Sequence, residues 1–332
     1  MSEDRGLSGR LLTALVIVLS LAGLVYFGIR AVSQKIHSGG DNPFAYDIES
    51  YRRSGADRVR YTETAALTIP LPQVAALALG PDGAVYVSGG ERILRLDGDG
   101  RVRSRFEASG RVRCLAVDAA GIYAGLTDRV ELISPDGVLE SLWDAPGERS
   151  IFTSIALSRD FIFLADAGSR VVWRLGRSGG DPLRIGERDD DRDIPGFVIP
   201  SPYFDVALDP DGFLWAANTG RHSLENYTLE GGFRSSWGEA AMTIEGFCGC
   251  CNPSHIAIRE DGAFVTSEKG LCRVKVHDAT GALLAVVAGP DAFEPDTVNM
   301  DLAVDGKDRV LVLDPKRKQV RIFVEKQRGA AK

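Results

Sequence analysis

The feature that most constrains this 332-residue chain is a short pattern that recurs six times. Each copy is an apolar run of about five residues, a turn with Gly, Asp or Ser, and a second apolar run. The copies start at residues 74, 112, 152, 203, 253 and 299 and read VAALALGPDG, VRCLAVDAAG, FTSIALSRDF, YFDVALDPDG, PSHIAIREDG and NMDLAVDGKD. A polar loop and one or two further runs follow each copy. Short apolar runs bounded by turn residues are typical of antiparallel strands, so each copy predicts a small sheet.

The spacing of the copies, 38 to 51 residues, predicts how these sheets are arranged. Several strands in a period of this length are typical of a β-propeller, and six copies predict six blades. The last copy lacks a fourth run, whereas Val59–Leu71 reads as a strand without a blade of its own. Closing the ring removes exposed sheet edges, so we predict that this N-terminal strand completes blade six. The predicted fold is an all-β, six-bladed propeller over residues 59–325, followed by a charged tail at 326–332.

An uncharged apolar segment precedes the propeller. Residues 11–29 read LLTALVIVLSLAGLVYFGI, and a helix of that length rises about 28 Å, close to the thickness of a bilayer's hydrocarbon core. We predict a short N-terminal tail (1–10), one transmembrane signal anchor (11–30), and a stalk (31–58) with a short helix near its end. A cleaved signal peptide is the alternative, because Ala31-Val32-Ser33 offers a small-residue cleavage site. The anchor predicts a single-pass protein of the cell membrane with its propeller on the extracytoplasmic, periplasmic side, where disulfides can form.

Composition excludes several classes of protein. The formal net charge is −7 and the basic residues are scattered among acids, which argues against a nucleic-acid partner. Five cysteines in 332 residues are too few for a disulfide-framework domain. The sequence contains no phosphate-binding glycine loop, no nucleophile elbow and no haem-attachment motif.

Several segments carry a resemblance to a known family. VYVSGGERILRLDGDG, FLADAGSRVVWRLGRSGG and FLWAANTGRHSLENYTLEGG resemble NHL repeats over about residues 70–325. PSPYFDVAL, GFCGCCNPSHIAI, VTSEKGLCRVKV and VVAGP resemble a membrane-anchored bacterial subgroup of NHL-repeat proteins whose activity is unknown. The resemblance implies the six-bladed fold and leaves the activity open, because propellers host many unrelated activities.

Propeller geometry predicts where a site would lie. The start of the first strand and the end of the second strand of every blade meet at one face, the top face, around the channel mouth. The first-strand positions are Ala76, Cys114, Ser154, Asp205, His255 and Asp301, and the second-strand ends are Ser88, Gly125, Asp166, Asn218, Glu268 and Asp314. Blades four to six therefore combine Asp205, His255 and Asp301, with Asn218, Glu268 and Asp314 behind them.

These residue types are the ones that bind Ca²⁺ or Zn²⁺, so the pattern predicts a divalent metal or a polar ligand at the channel mouth. The resemblance implies the same face, which related propeller lactonases and lyases use in this way. The alternative is structural. Asp or Asn at the end of a second strand, such as Asp166 and Asn218, commonly caps the following turn.

A second candidate site is a cysteine-rich loop. Residues 194–208 and 244–258 align without a gap at an offset of 50, and only the second segment contains cysteines. We expect Cys248, Cys250, Cys251 and Cys272 to cluster near His255, with Cys114 a separate buried thiol. Three interpretations stay open: a disulfide staple, which an oxidising compartment favours; a Zn²⁺ or Cu⁺ site; and a redox-active pair.

The functional prediction has the same alternatives. The leading one is a binding or scaffold module that presents its top face and cysteine loop to a protein partner or small ligand beside the membrane. The second is a metal-dependent lactonase, hydrolase or lyase whose metal is held by Asp205, His255, Asp301 and Glu268. The third is a redox or metal-handling role for the cysteines.

Overall fold

The computed structural model describes residues 48–53 and 55–327, together with seven helical positions between 18 and 26. Most of the predicted anchor and stalk, and the end of the charged tail, lie outside these residues. Within the described part of the chain, no helix is both long and apolar enough to cross a membrane. The chain divides into two units, residues 1–48 and 49–332, and the second unit contains the propeller.

Helix α1 (Ile48–Arg53) and a 3₁₀ turn (Ala56–Arg58) precede the strands. Between residues 55 and 327 the strands form six antiparallel sheets of four, one for each repeat, so the predicted six-bladed propeller is confirmed. Blades one to three are β2 (Ala76–Leu79), β3 (Val85–Gly89), β4 (Arg92–Leu96) and β5 (Val102–Glu107); β6 (Cys114–Asp118), β7 (Gly121–Gly125), β8 (Arg129–Ile133) and β9 (Leu139–Asp144); and β10 (Phe152–Leu157), β11 (Phe161–Asp166), β12 (Val171–Gly176) and β13 (Leu183–Ile185). Blades four and five are β14 (Val206–Leu208), β15 (Leu214–Asn218), β16 (Ser223–Tyr227) and β17 (Phe233–Trp237); and β18 (His255–Ile258), β19 (Phe264–Glu268), β20 (Arg273–His277) and β21 (Leu283–Ala288). Blade six is β22 (Leu302–Val304), β23 (Val310–Asp314), β24 (Gln319–Glu325) and, from the other end of the sequence, β1 (Tyr61–Thr68).

The N-terminal strand closes the ring. β1 runs antiparallel to β24 from the Tyr61–Glu325 pair to the Thr68–Gln319 pair, with a bulge between Glu63 and Ala65. Just before β1, the N–H of Arg60 bonds to the carbonyl of Val286 in blade five at 3.0 Å. One short segment therefore covers the outer edge of blade six and touches that of blade five, which hides edges that could pair with another chain.

The hydrophobic core lies between the blades. Each of the six buried apolar clusters in the described propeller combines side chains from two adjacent blades. Successive side chains of a strand point to opposite faces of its sheet, so apolar residues on each face pack against the adjacent blade on that side. This packing leaves the first strands around a central channel, so their initial residues face one another across it.

Candidate metal centre

Three blades place a polar side chain at the start of their first strand. Asp205 immediately precedes β14, His255 begins β18, and Asp301 immediately precedes β22. One ligand atom from each of the three residues lies within 4.8 Å of the others, and among the described residues this is the one such group of three. We refer to Asp205, His255 and Asp301 as the channel triad.

The backbone holds both carboxylates in place. Asp205 accepts the N–H of Val206 (2.9 Å) and, from the next blade, the N–H of Ile256 (2.7 Å). Asp301 accepts the N–H groups of Leu302 (2.8 Å) and Leu77 (2.7 Å) in the same way. Each carboxylate therefore links two neighbouring blades. Because a carboxylate oxygen has two lone pairs, each oxygen keeps one lone pair for a further partner.

A neighbouring amide determines how His255 is oriented. Nδ2 of Asn299 donates to the carbonyl of Ala75 at 2.7 Å, which directs Oδ1 of Asn299 towards Nε2 of His255 at 3.2 Å. Nε2 therefore carries a proton. Nδ1 faces Oδ2 of Asp205 at 3.6 Å and Oδ1 of Asp301 at 3.5 Å. A neutral ring would aim its Nδ1 lone pair at two carboxylates, so this position calls for a second proton on the ring, a proton on one of the carboxylates, or a metal ion.

The pKa directions agree with that requirement. Burial opposes the charged form of His255, but the attraction of the Asp205 and Asp301 carboxylates outweighs it and raises the pKa of the imidazole. Burial, together with the charge of Asp205, raises the pKa of Asp301 to about 6, although His255 opposes this shift. Without a metal ion, the triad therefore holds protons more tightly than isolated side chains do.

The cavity at the triad is narrow. Its volume is about 90 Å³ and its walls are the first-strand residues, including Cys114, Thr153 and Ser154. Since a water molecule in the liquid occupies about 30 Å³, this space holds about three waters, or an ion with part of its hydration shell. A larger molecule can reach the triad only with a protruding group.

The second-strand residues do not join the triad. Asn218 is fully buried; its Oδ1 accepts the N–H of Val198 at 2.9 Å and its Nδ2 donates to Glu225 at 2.7 Å. Asp314 accepts the N–H of Arg317 at 3.1 Å and pairs with Arg321. Asp314 therefore caps the turn that follows its strand, as the structural alternative expects, whereas Asn218 bonds to the loop that precedes its blade.

Glu268 lies in a buried ion network instead. Arg273 contacts both of its oxygens, at 3.1 and 2.8 Å, and Nζ of Lys275 lies 2.9 Å from Oε1. The N–H of Cys248 donates to Oε2 at 3.0 Å. All three charged side chains are fully buried. The positive charges of Lys275 and Arg273 overcome burial and lower the pKa of Glu268. Glu268 is therefore a fixed anion that anchors the cysteine loop.

No disulfide joins the cysteines in the described chain. The five thiols are free, and no three Cys, His, Asp or Glu ligand atoms outside the channel triad come together in the described chain. Cys272 donates to the carbonyl of Thr297 at 3.2 Å, Cys248 and Cys251 are buried, and Cys250 is exposed 3.8 Å from Nζ of Lys269. The backbone at Cys251 is left-handed (φ 63°). The structure therefore shows neither the predicted staple nor a cysteine metal site.

Sequence reasoning missed Asn299, which orients His255. Its only signal was its place two residues before Asp301, at the start of the sixth repeat. Asn299 adopts a left-handed conformation (φ 60°), which Asn tolerates better than most residues.

Comparisons with known proteins extend the fold assignment only. No protein-family model and no curated protein sequence matches this chain, so the likeness to NHL repeats remains a resemblance. Among solved structures, a gluconolactonase from Xanthomonas campestris is 17% identical with a TM-score of 0.61, over 85% of this chain and 93% of that one. A streptogramin B lyase is 14% identical with a TM-score of 0.55, over 80% of this chain and 98% of that one. A catalytically inactive histidine-to-alanine variant of virginiamycin B lyase from Staphylococcus aureus, solved with quinupristin, is 14% identical with a TM-score of 0.51, over 82% and 91%. At these identities the likeness shows a shared six-bladed propeller.

Proposed function

We propose that the channel triad binds a divalent metal ion and that the chain is a metal-dependent enzyme of the lactonase, hydrolase or lyase kind. The observation that carries the proposal is the position of Nδ1 of His255, 3.5 and 3.6 Å from two carboxylate oxygens. Two ligands bound at about 2.0–2.1 Å to one tetrahedral Zn²⁺ lie about 3.4 Å apart. The separations therefore suit shared coordination better than a direct hydrogen bond, which is normally nearer 2.9 Å.

The surroundings of the triad also fit a metal. Oδ1 of Asn299 accepts a hydrogen bond from the protonated Nε2 of His255. Histidine ligands of metals are commonly oriented by such a partner on their second nitrogen. The backbone N–H groups hold both carboxylates without using their last lone pairs. An imidazole among the donors favours Zn²⁺ or another transition metal over Ca²⁺, which prefers oxygen ligands.

A bound divalent ion would act as a Lewis acid on a carbonyl or similar oxygen of the substrate. The chain itself contributes placement: three blades fix the ligands, and the narrow cavity admits only a slender part of a substrate. The solved neighbours named as lactonase and lyases use the same fold, which supports this class of activity by analogy only.

The test is the metal content of the purified full-length chain, measured by native mass spectrometry and elemental analysis. We expect about one transition-metal ion per chain, lost in His255→Ala and Asp301→Asn. Cys114→Ala is the matched control, because Cys114 lines the same cavity outside the triad. Metal-loaded and chelated samples would then be compared on a panel of lactones and esters. Equal metal content in His255→Ala and the parent protein would refute the site.

A binding or scaffold module remains the alternative. It predicts a metal-free protein that retains a ligand or partner on its top face, and the same mass measurement distinguishes the two. If the protein contains metal but turns over none of the substrates, the metal site would be supported and the function would be binding rather than catalysis.

We further propose that residues 11–30 anchor the chain in the cell membrane and display the propeller on the periplasmic side. The support is the uncharged run of 19 residues at 11–29. Fractionation of cells followed by protease treatment of spheroplasts tests this. Protection of the propeller from the protease in intact spheroplasts, or its recovery in the soluble cytoplasm, would contradict the proposal.

A further inference from the structure

A second polar cavity opens in blade three, away from the channel triad. Its volume is about 570 Å³, within the range of small-molecule sites. One wall is the loop 147–149, which leads into β10, and the other is the turn 168–171 between β11 and β12. Since one segment enters a first strand and the other leaves a second strand, the cavity opens on the top face, as does the channel triad. We refer to it as the blade-three cleft.

A buried carboxylate holds the two walls of the cleft together. Asp166 accepts the N–H of Ile151 (2.8 Å) and the hydroxyl of Ser150 (2.6 Å) from one wall, and the N–H of Gly168 (3.0 Å) from the other. Trp173 also donates to it, from Nε1 at 2.9 Å. These hydrogen bonds outweigh burial and lower the pKa of Asp166. The cleft is therefore preorganised by a carboxylate that does not itself line its interior.

Three guanidinium groups line the cleft. Arg184 stacks on Trp173, with its Cζ 5.0 Å from the ring centre, and bonds to Glu187 at 2.9 Å. Arg149 and Arg170 are exposed, and neither has an ion-pair partner among the described residues. The remaining acid of the lining is Glu148. Two of the three arginines therefore have their N–H donors available.

We propose that the blade-three cleft binds the oxyanion of a small molecule, a phosphate or a carboxylate group, through Arg149 and Arg170 with Arg184 at its rim. The planar guanidinium fork matches the paired oxygens of both groups. The polar lining disfavours an apolar ligand. The cavity exceeds the size of a single phosphate, so the anion belongs to a larger molecule whose remaining part lies along the cleft. This proposal does not depend on a metal at the channel triad.

Calorimetric titration of the full-length chain with pyrophosphate and, separately, with citrate tests the proposal. We expect saturable binding of one ligand per chain that weakens about tenfold for each of Arg149→Met and Arg170→Met, since hydrogen bonds to charged groups contribute on this scale. The R149K/R170K variant keeps both positive charges and loses the planar guanidinium groups. Its affinity for the anion should therefore lie between those of the parent protein and R149M/R170M. The matched control is R92M/R101M, which removes two exposed arginine charges from blade one.

Each outcome decides the proposal. Loss of anion binding in R149M/R170M, together with retained binding in R92M/R101M, would support the cleft as the binding site. Pyrophosphate binding without citrate binding assigns it to phosphate compounds, and the converse to carboxylates. Equal weakening in both double variants would show diffuse charge attraction and overturn the proposal, as would no saturable binding of either anion. Circular dichroism melting verifies that each variant is folded. The metal content of the triad, measured on the same samples, keeps this result separate from the test of the enzyme.

Discussion

The carboxylate of Asp301 in blade six accepts the N–H of Leu77 in blade one at 2.7 Å. The first and last blades are therefore joined at their inner strands, and the chain also links them because β1 pairs with β24 in blade six before it continues into blade one. Asp205 makes the corresponding bond to Ile256 between blades four and five. The channel triad is thus part of the joints of the ring, and any metal held there would connect several blades.

Substitution of either carboxylate should loosen the ring. Asn in place of Asp301 or Asp205 can accept one N–H but presents its amide nitrogen to the other, so each variant should lose about 1–3 kcal/mol of unfolding free energy. Urea unfolding of metal-free protein measures the loss. Asp211→Asn, at an exposed turn position, should change stability by less than about 0.5 kcal/mol. Equal stability of all three variants would contradict the joint.

The stability of the metal-free protein should depend on pH through the triad. The pKa of Asp301 is raised to about 6 and that of His255 is also raised. A folded state that binds more protons than the unfolded state loses stability as pH rises. The contribution of Asp301 should therefore fall between about pH 4 and 6, by up to about 3 kcal/mol. The contribution of His255 to stability should fall above about pH 6.5, which is the pKa of histidine in the unfolded chain.

The measurement is the difference in unfolding free energy between the parent protein and Asp301→Asn at several pH values. The difference removes the contribution of other titrating groups. A difference that stays constant from pH 4 to 7 would be inconsistent with the prediction. Because a metal ion must displace these protons, added Zn²⁺ should stabilise the parent protein more at pH 8 than at pH 5.

The sequence was sufficient to predict the propeller and the meeting of Asp205, His255 and Asp301, because repeat spacing determines both. Those three residues occupy equivalent positions in successive blades, and a ring places equivalent positions side by side. Asn218, Glu268 and Asp314 also share a position, but the direction of a side chain at a strand end depends on its local partners. Buried Arg273 and Lys275 hold Glu268, and spacing alone does not reveal such a network.

The cysteines show a similar limit. Closeness in sequence, as for Cys248, Cys250 and Cys251, does not by itself predict a disulfide, since all three thiols are free in the structure. The loop holds its shape by other means. Its backbone bonds to Glu268 through Cys248, and Asn252 bonds to both Cys248 and Lys269.

Comparison of the two aligned loops gives a third prediction. At the offset of 50 residues, Asn218, Ser223, Glu225 and Tyr227 of blade four replace Glu268, Arg273, Lys275 and His277 of blade five. The N–H of Val198 bonds to Asn218 as that of Cys248 bonds to Glu268. One blade therefore supports the loop with a mostly neutral network, and the other with buried charges.

Glu268→Gln should destabilise the protein by about 3–5 kcal/mol, because it leaves two buried cations without a counter-charge. The quadruple variant E268N/R273S/K275E/H277Y transfers the blade-four network as a unit. It also removes the buried Nε2 of His277, which has no hydrogen-bond partner among the described residues. Urea midpoints should place the quadruple variant above Glu268→Gln. A quadruple variant less stable than the single one would contradict the equivalence of the two networks.

The five thiols should differ in reactivity. Cys250 is exposed with Lys269 at 3.8 Å, whereas the other four cysteines are buried. Burial, with the charge of Glu268, raises the pKa of Cys248 to about 11, and burial also raises the pKa of Cys272. Alkylation by iodoacetamide, a neutral reagent, should therefore show one fast thiol and four slow ones. Peptide mapping should identify the fast thiol as Cys250.

The part played by Lys269 can be measured on the same reaction. Lys269→Met removes the positive charge beside Cys250 and leaves the sulfur exposed, so the rate of alkylation in this variant separates the effect of the charge from the effect of exposure. Cys250→Ser should remove the fast phase. A fast phase that survives in Cys250→Ser would place the reactive thiol elsewhere, and an unchanged rate in Lys269→Met would show that exposure alone determines the reactivity of Cys250.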